Sequence, residues 1–222
     1  PDRQLIESDK EFYDKILTTN FSNPQHWAAL KTLNDKEKNI ANLITRRAKR
    51  TNKADWQSEL WAQFLYSSPK IGNPTNERER QAVSEKLSAL HTLYTQRISV
   101  LTGGAGTGKT TVLKVFIDGL EKLEGRHPLL LLAPTGKARV RMSSATGRRT
   151  ETIHQFLLKQ GWYDPELFVL KNESDRPPYV AKTVVVDECS MISSESMAAL
   201  FDAIEKDEIT RLILVGDPNQ LP

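Results

Sequence analysis

The chain contains a single cysteine, Cys189, among 222 residues. That excludes an internal disulfide and any zinc site built from several thiolates, and it agrees with a reducing compartment. No apolar run approaches the roughly 20 residues that a membrane helix needs. The opening Pro1-Asp-Arg-Gln-Leu-Ile-Glu7 lacks a signal-peptide pattern, so no membrane role is expected and the cytoplasm is the expected setting. There is no internal repeat and no low-complexity tract. Neither sign of charge dominates: the formal net charge of +3 is weakly basic, which permits a polyanionic partner without demanding one. What is present, 38% hydrophobic and 27% charged residues, suits a globular chain long enough for one full α/β domain and a smaller piece.

The most informative segment runs from Leu101 to Thr110. From Gly103 to Thr110 it satisfies the phosphate-loop pattern G-x-x-x-x-G-K-[ST] without a mismatch. Glycines let consecutive N–H groups curl around a phosphate, and the next helix adds its positive N-terminal end. The spacing assigns Gly103, Gly104, Ala105, Gly106, Thr107, Gly108 and Thr111 to the nucleotide cradle. Lys109 is placed on the β- and γ-phosphates and Thr110 on Mg²⁺. An apolar run, Arg97–Leu101, precedes the loop. Val112, Val115, Phe116 and Leu120 follow at helical spacing, with Gly125 as a stop, so the context is strand, loop, helix.

Upstream, the first seventy residues read as helices. Ser8-Asp-Lys-Glu11 is a capping box, Asn23-Pro24 starts a second helix, and Leu33, Ile40, Leu43 and Ile44 mark a third. Trp56, Leu60, Trp61, Phe64 and Leu65 form an aromatic stripe that reads as core. The basic cluster Arg46–Arg50, with Lys53, is either a solvated face or a nucleic-acid contact. The turn-rich stretch 67–74 places a boundary between an N-terminal helical region, 1–72, and an α/β domain, 73–222. Asn76 caps a helix through Ala82, Val83, Leu87 and Leu90. Strands are expected at 97–102, 129–133, 183–187 and 211–215, each the near-continuous apolar run that a parallel sheet buries on both faces.

Thr183–Glu188 is a buried-strand pattern ending in two acids. At the carboxyl end of a parallel strand beside the phosphate loop, Asp187 would hold Mg²⁺ and Glu188 would orient or deprotonate the attacking water. The strand 211–215 runs into Gly216-Asp-Pro-Asn-Gln220, where Gln220, both donor and acceptor, either senses a γ-phosphate or belongs to an ordinary Asp-Pro turn.

With these elements in order, the chain resembles the first motor domain of a superfamily 1 DNA helicase of the RecD-like group, related to the alpha subunit of exodeoxyribonuclease V. The resemblance covers about residues 76–222. It rests on the phosphate loop, Ala133-Pro-Thr-Gly-Lys-Ala138, Thr152-Ile-His-Gln155, Val186-Asp-Glu-Cys-Ser-Met191 and Gly216-Asp-Pro-Asn-Gln-Leu-Pro222. It implies a RecA-like P-loop NTPase fold, a parallel sheet flanked by helices, with ATP and Mg²⁺ as cofactors and Lys109, Asp187, Glu188 and Gln220 as the catalytic set. It also implies DNA contacts from Pro134, Thr135, Gly136, Lys137, Thr152 and His154, to single-stranded DNA or a duplex junction. Read on their own, Lys137 is a phosphate contact or, less readily, a solvated helix start, and His154 a DNA contact or, less readily, a packed core histidine. Relatives insert a small hairpin where this chain has 161–181, and Trp162, Tyr163 and Phe168 there either stack on bases or anchor the hairpin.

Two departures stand out. Where relatives place an adenine-reading glutamine, alignment on Ala82-Val83 puts Glu79, with Gln81 close enough to substitute. And no second motor domain follows Pro222, so the sequence reads as part of a longer protein, with residues 1–72 available to protein partners and turnover by this piece alone expected to be slow. The resulting expectation is an ATP-dependent DNA helicase, 5′ to 3′, in repair or recombination. The alternatives are a non-helicase P-loop switch and a partner-binding module with a vestigial ATP site.

Overall fold

The computed structural model describes residues 17–20, 27–52, 54–69, 71–72, 74–104, 106–126, 128–164, 166, 169–171, 176–204 and 208–217. In chain order the elements are β1 (Leu17–Asn20), β2 (Trp27–Leu30), α1 (Lys31–Ala48), α2 (Ser58–Tyr66), α3 (Glu77–Thr95), β3 (Ile98–Thr102), α4 (Lys109–Glu124), β4 (Leu129–Ala133), α5 (Gly136–Thr146), β5 (Glu151–Thr152), α6 (Ile153–Lys159), β6 (Tyr163–Asp164), β7 (Val169–Leu170), β8 (Thr183–Val186), a 3₁₀ turn (Cys189–Met191), α7 (Ser194–Ala203) and β9 (Arg211–Gly216). No helix among the described residues is long and apolar enough to cross a membrane.

Strands β3, β9, β8, β4 and β5 form one sheet in that order, every neighbouring pair parallel. The four apolar runs named from the sequence are its first four strands. The fifth, β5, is only two residues long and carries no periodicity to read. Successive side chains of a strand face opposite ways, and the core divides accordingly. Leu131, Val185 and Ile213 pack on one face with α3 and α4, whereas Leu130, Leu132, Val184, Val186 and Leu212 pack on the other with α6 and α7.

The N-terminal region is not all helical. β1 and β2 pair antiparallel, Leu17 opposite Leu30 and Asn20 opposite Trp27. The helix expected from Pro24 is corrected to a strand at Trp27–Leu30, with helix beginning at Lys31. A cap signal is local, and a single helical turn is costly to nucleate, whereas pairing with β1 gives these backbone groups partners at once. The Ser8–Glu11 capping box lies outside the described residues. The aromatic stripe is core: Trp61 is fully buried and stacks on Phe116 of α4, ring centroids 6.0 Å apart. Gly119 answers it, because a β-carbon there would sit 2.7 Å from the indole. The helix behind the phosphate loop is thus braced by Trp61 of α2, far upstream in the sequence.

Two arginines close the lower end of the sheet. Arg211, buried at the start of β9, forms a bidentate pair with Glu124, the last residue of α4, at 3.1 and 2.5 Å. Arg47 divides the basic cluster of α1: its guanidinium is buried and donates to the carbonyls of Ile209 (2.7 Å) and Arg97 (3.1 Å), while Arg46, Lys49 and Arg50 stay exposed.

Candidate nucleotide site

The register of the sheet sets the order of groups along its carboxyl edge. Thr102 of β3 pairs with Gly216 of β9, Leu214 of β9 with Val186 of β8, and Val186 with Leu132 of β4. From one side to the other, the residues that follow the strands are therefore Gly103, Asp217, Asp187 and Pro134. The phosphate loop, both acids and Asp217 meet around a cavity of about 590 Å³.

α4 begins in this cavity. Gly108 caps it at φ +92°, a left-handed conformation that glycine adopts without strain, and no side chain caps the helix end. The first N–H groups and the positive end of the dipole thus face the opening. The Lys109 ammonium lies back on the loop and donates to the carbonyls of Gly103 and Gly104, the latter at 2.9 Å. Thr107 holds the turn through its hydroxyl, which donates to the Gly104 carbonyl at 2.9 Å. Gly104, Gly106, Thr107, Gly108, Thr110 and Thr111 line the cavity; Ala105 is outside the described residues.

Asp187 is 7% exposed at the end of β8. Burial pushes its carboxyl above the usual range, opposed by the Glu188 N–H, which donates to Oδ1 at 3.0 Å, and by Arg141 nearby. Glu188 has φ +48°, the one left-handed non-glycine among the described residues. Such a conformation costs on the order of 1–3 kcal/mol and persists where surroundings enforce it. It turns the carboxylate into the cavity beside Asp187. Hard oxygen donors suit magnesium, which takes few protein ligands and keeps waters and phosphate oxygens. Thr110 and Asp187 fit that role, and among the described residues no cluster of three or more His, Cys, Asp or Glu offers a competing cage.

Two expectations meet a different geometry. Glu79 accepts from the N–H and hydroxyl of Thr75, at 2.6 and 2.8 Å, and so belongs to the cap of α3; Gln81 donates to Glu85 at 3.4 Å. Neither lines the cavity, where Ile71 and Lys86 stand instead. Gln220 lies outside the described residues. Sequence reasoning also missed Arg141. Its guanidinium enters the cavity and pairs with Glu188 at 2.6 Å and Asp187 at 3.5 Å. Spacing along α5 gave no hint of this, because the acids come from a strand 46 to 47 residues later.

The residues expected to meet DNA lie across the β4 and β5 ends. Thr135 caps α5, its hydroxyl accepting the Ala138 N–H at 3.2 Å, with exposed Gly136 and Lys137 following. Thr152 and Gln155 form a reciprocal capping box, both bonds at 3.1 Å. His154 is exposed and stands edge-on to Tyr163, ring centroids 4.0 Å apart. Of these residues His154, together with Pro134, borders a second cavity of about 620 Å³; Thr135, Gly136, Lys137 and Thr152 do not line it. Within 161–181, β6 and β7 pair antiparallel, and Trp162 and Tyr163 pack against the α6–α7 core; Phe168 is outside the described residues.

Residues 86–222 match the family model described as AAA domain (AAA_19). The ATP-dependent RecD2 DNA helicase of Deinococcus radiodurans is 39% identical over 147 residues, 66% of this chain and 19% of that protein. The RecBCD enzyme subunit RecD of Mycolicibacterium smegmatis is 35% identical over 158 residues, 62% of this chain and 27% of that protein. The solved structure of Bacteroides Pif1 bound to single-stranded DNA superposes at a TM-score of 0.40 with 22% identity, over 62% of this chain and 32% of that one. The chain therefore spans only 19% and 27% of the length of these two curated relatives. On a match covering more than half its residues it belongs to the AAA-domain family, and its relatives there are of the RecD-like kind that its ordered motifs resemble.

Proposed function

We propose that this chain is the ATP-binding motor domain of an ATP-dependent DNA helicase that works 5′ to 3′ in repair or recombination, in the cytoplasm. The carrying observation is the convergence, at one edge of a parallel sheet, of the open α4 N-terminus, Lys109, Asp187 and Glu188 on a single cavity. Lys109 is in position to leave its carbonyl partners for the β- and γ-phosphates. Thr110 and Asp187 would hold Mg²⁺, which supplies charge neutralisation at the bridging oxygens. Glu188, turned into the cavity, orients a water for attack on the γ-phosphorus and takes its proton. The water oxygen bonds to the γ-phosphorus, the bond from that phosphorus to the β,γ-bridging oxygen breaks with its electron pair left on ADP, and ADP and inorganic phosphate depart.

Pro134, Thr135, Gly136, Lys137, Thr152 and His154 form the proposed track for single-stranded DNA. It lies on the same sheet edge as the cavity, which is what a coupled motor requires. Residues 1–72, as an N-terminal region, are the proposed place for protein partners. The test is ATP hydrolysis by the whole protein with and without single-stranded DNA, and unwinding of duplexes with 5′ or 3′ tails. Strong stimulation and unwinding from the 5′ tail support the reading. Hydrolysis indifferent to DNA points instead to a P-loop switch.

A further inference from the structure

The cavity is lined by three cations, Lys86, Lys109 and Arg141, and by three acids, Asp187, Glu188 and Asp217. Each cation has an internal acceptor. Lys86 donates to the Ala82 carbonyl at 3.2 Å and Lys109 to the loop carbonyls. Arg141 differs from both, because its acceptors are the two carboxylates that the proposed chemistry needs, Glu188 at 2.6 Å and Asp187 at 3.5 Å. A guanidinium and a magnesium ion compete for the same oxygen lone pairs, and magnesium tolerates little distortion of its octahedral shell.

The arginine is placed there by its helix. Ala138, Met142 and Thr146 bury one side of α5 and fix it against the sheet. Arg141 itself remains 57% exposed in its side chain, so its base is fixed by the helix while its paired tip borders solvent. When a magnesium–triphosphate enters, the acids gain a divalent cation and the cavity gains net negative charge. Both changes drive the guanidinium the same way, off the carboxylates and toward phosphate oxygens, for which its planar fork is suited.

We propose that Arg141 is a positioning residue that occupies the magnesium-holding acids while the site is empty and transfers to the nucleotide's phosphates when it loads. This rests on the nucleotide reading of the cavity. Arg141 then acts as a placeholder: it holds Asp187 and Glu188 together without metal and resists occupation by metal alone.

The experiment uses Mn²⁺ alone, by electron paramagnetic resonance, and ATP in excess EDTA, by calorimetry, on the wild-type chain and on Arg141→Gln, Arg141→Lys and Lys109→Ala. Arg141→Gln is expected to bind Mn²⁺ about fivefold more tightly, equivalent to roughly 1 kcal/mol, the scale of a partly exposed ion pair. It is expected to bind metal-free ATP about fivefold more weakly, with Arg141→Lys between it and wild type on both measures. A merely structural role does not raise metal affinity. Unchanged Mn²⁺ affinity in Arg141→Gln, with ATP binding still dependent on Lys109, overturns the placeholder and leaves the nucleotide site standing. ATP binding indifferent to Lys109 overturns both.

Discussion

At the β3, β9 and β8 ends of the sheet, motif side chains face an open cavity; at the β4 and β5 ends, the two motif threonines are engaged in helix caps. Lys109, Asp187 and Glu188 surround about 590 Å³ of space, whereas the hydroxyls of Thr135 and Thr152 each accept a backbone N–H of the helix they begin. Substitutions on the first side should change chemistry and leave the fold nearly intact. On the second side, loss of function mixes with loss of stability.

The largest effect is expected on the cavity side. Glu188→Gln should lower DNA-stimulated hydrolysis by roughly 10²–10⁴-fold, the range of general-base catalysis, with ATP affinity retained. Rapid-quench assays of phosphate release check this, and a drop matched by lost ATP binding would reassign Glu188 to binding. Next comes the brace behind the loop: Trp61→Ala should cost about 3–5 kcal/mol of stability in urea titration, as expected for a fully buried indole. A much smaller cost would detach the N-terminal region from the phosphate-loop helix.

On the capped side, Thr152→Ala should cost about 1 kcal/mol through the lost capping box, with Thr152→Ser restoring it. If DNA affinity falls severalfold while the melting temperature stays constant, the residue faces DNA rather than its own helix. Smallest of all, Glu79→Gln should leave the preference for ATP over GTP unchanged, because Glu79 serves the cap of α3. A gain in ATP preference measured by competition would return it to the adenine site.

The same contrast governs what was legible in the sequence. Strands β4, β8 and β9 are apolar runs buried on both faces, the edge strand β3 is apolar enough to read although it leaves Val100 exposed, and the phosphate loop is a contiguous pattern, so all of these could be read residue by residue. Strand β5 is two residues long and exists only through its pairing with β4. The β1–β2 hairpin was hidden behind a local Asn-Pro cap signal that pairing overrode. Arg141, Ile71 and Lys86 reach the cavity from elements whose own periodicity says nothing about distant acids or loops. Gly119 and Trp61 make the same point within the core: neither residue alone announces that one leaves room for the other.

The claim on which the rest depends is that the cavity at the head of α4 holds ATP, and calorimetric titration of wild type and Lys109→Ala with Mg·ATP tests it most directly. One ATP per chain is expected, with affinity falling roughly 10–100-fold when the charged hydrogen bonds of Lys109 are removed. Equal affinity in the two proteins would contradict it.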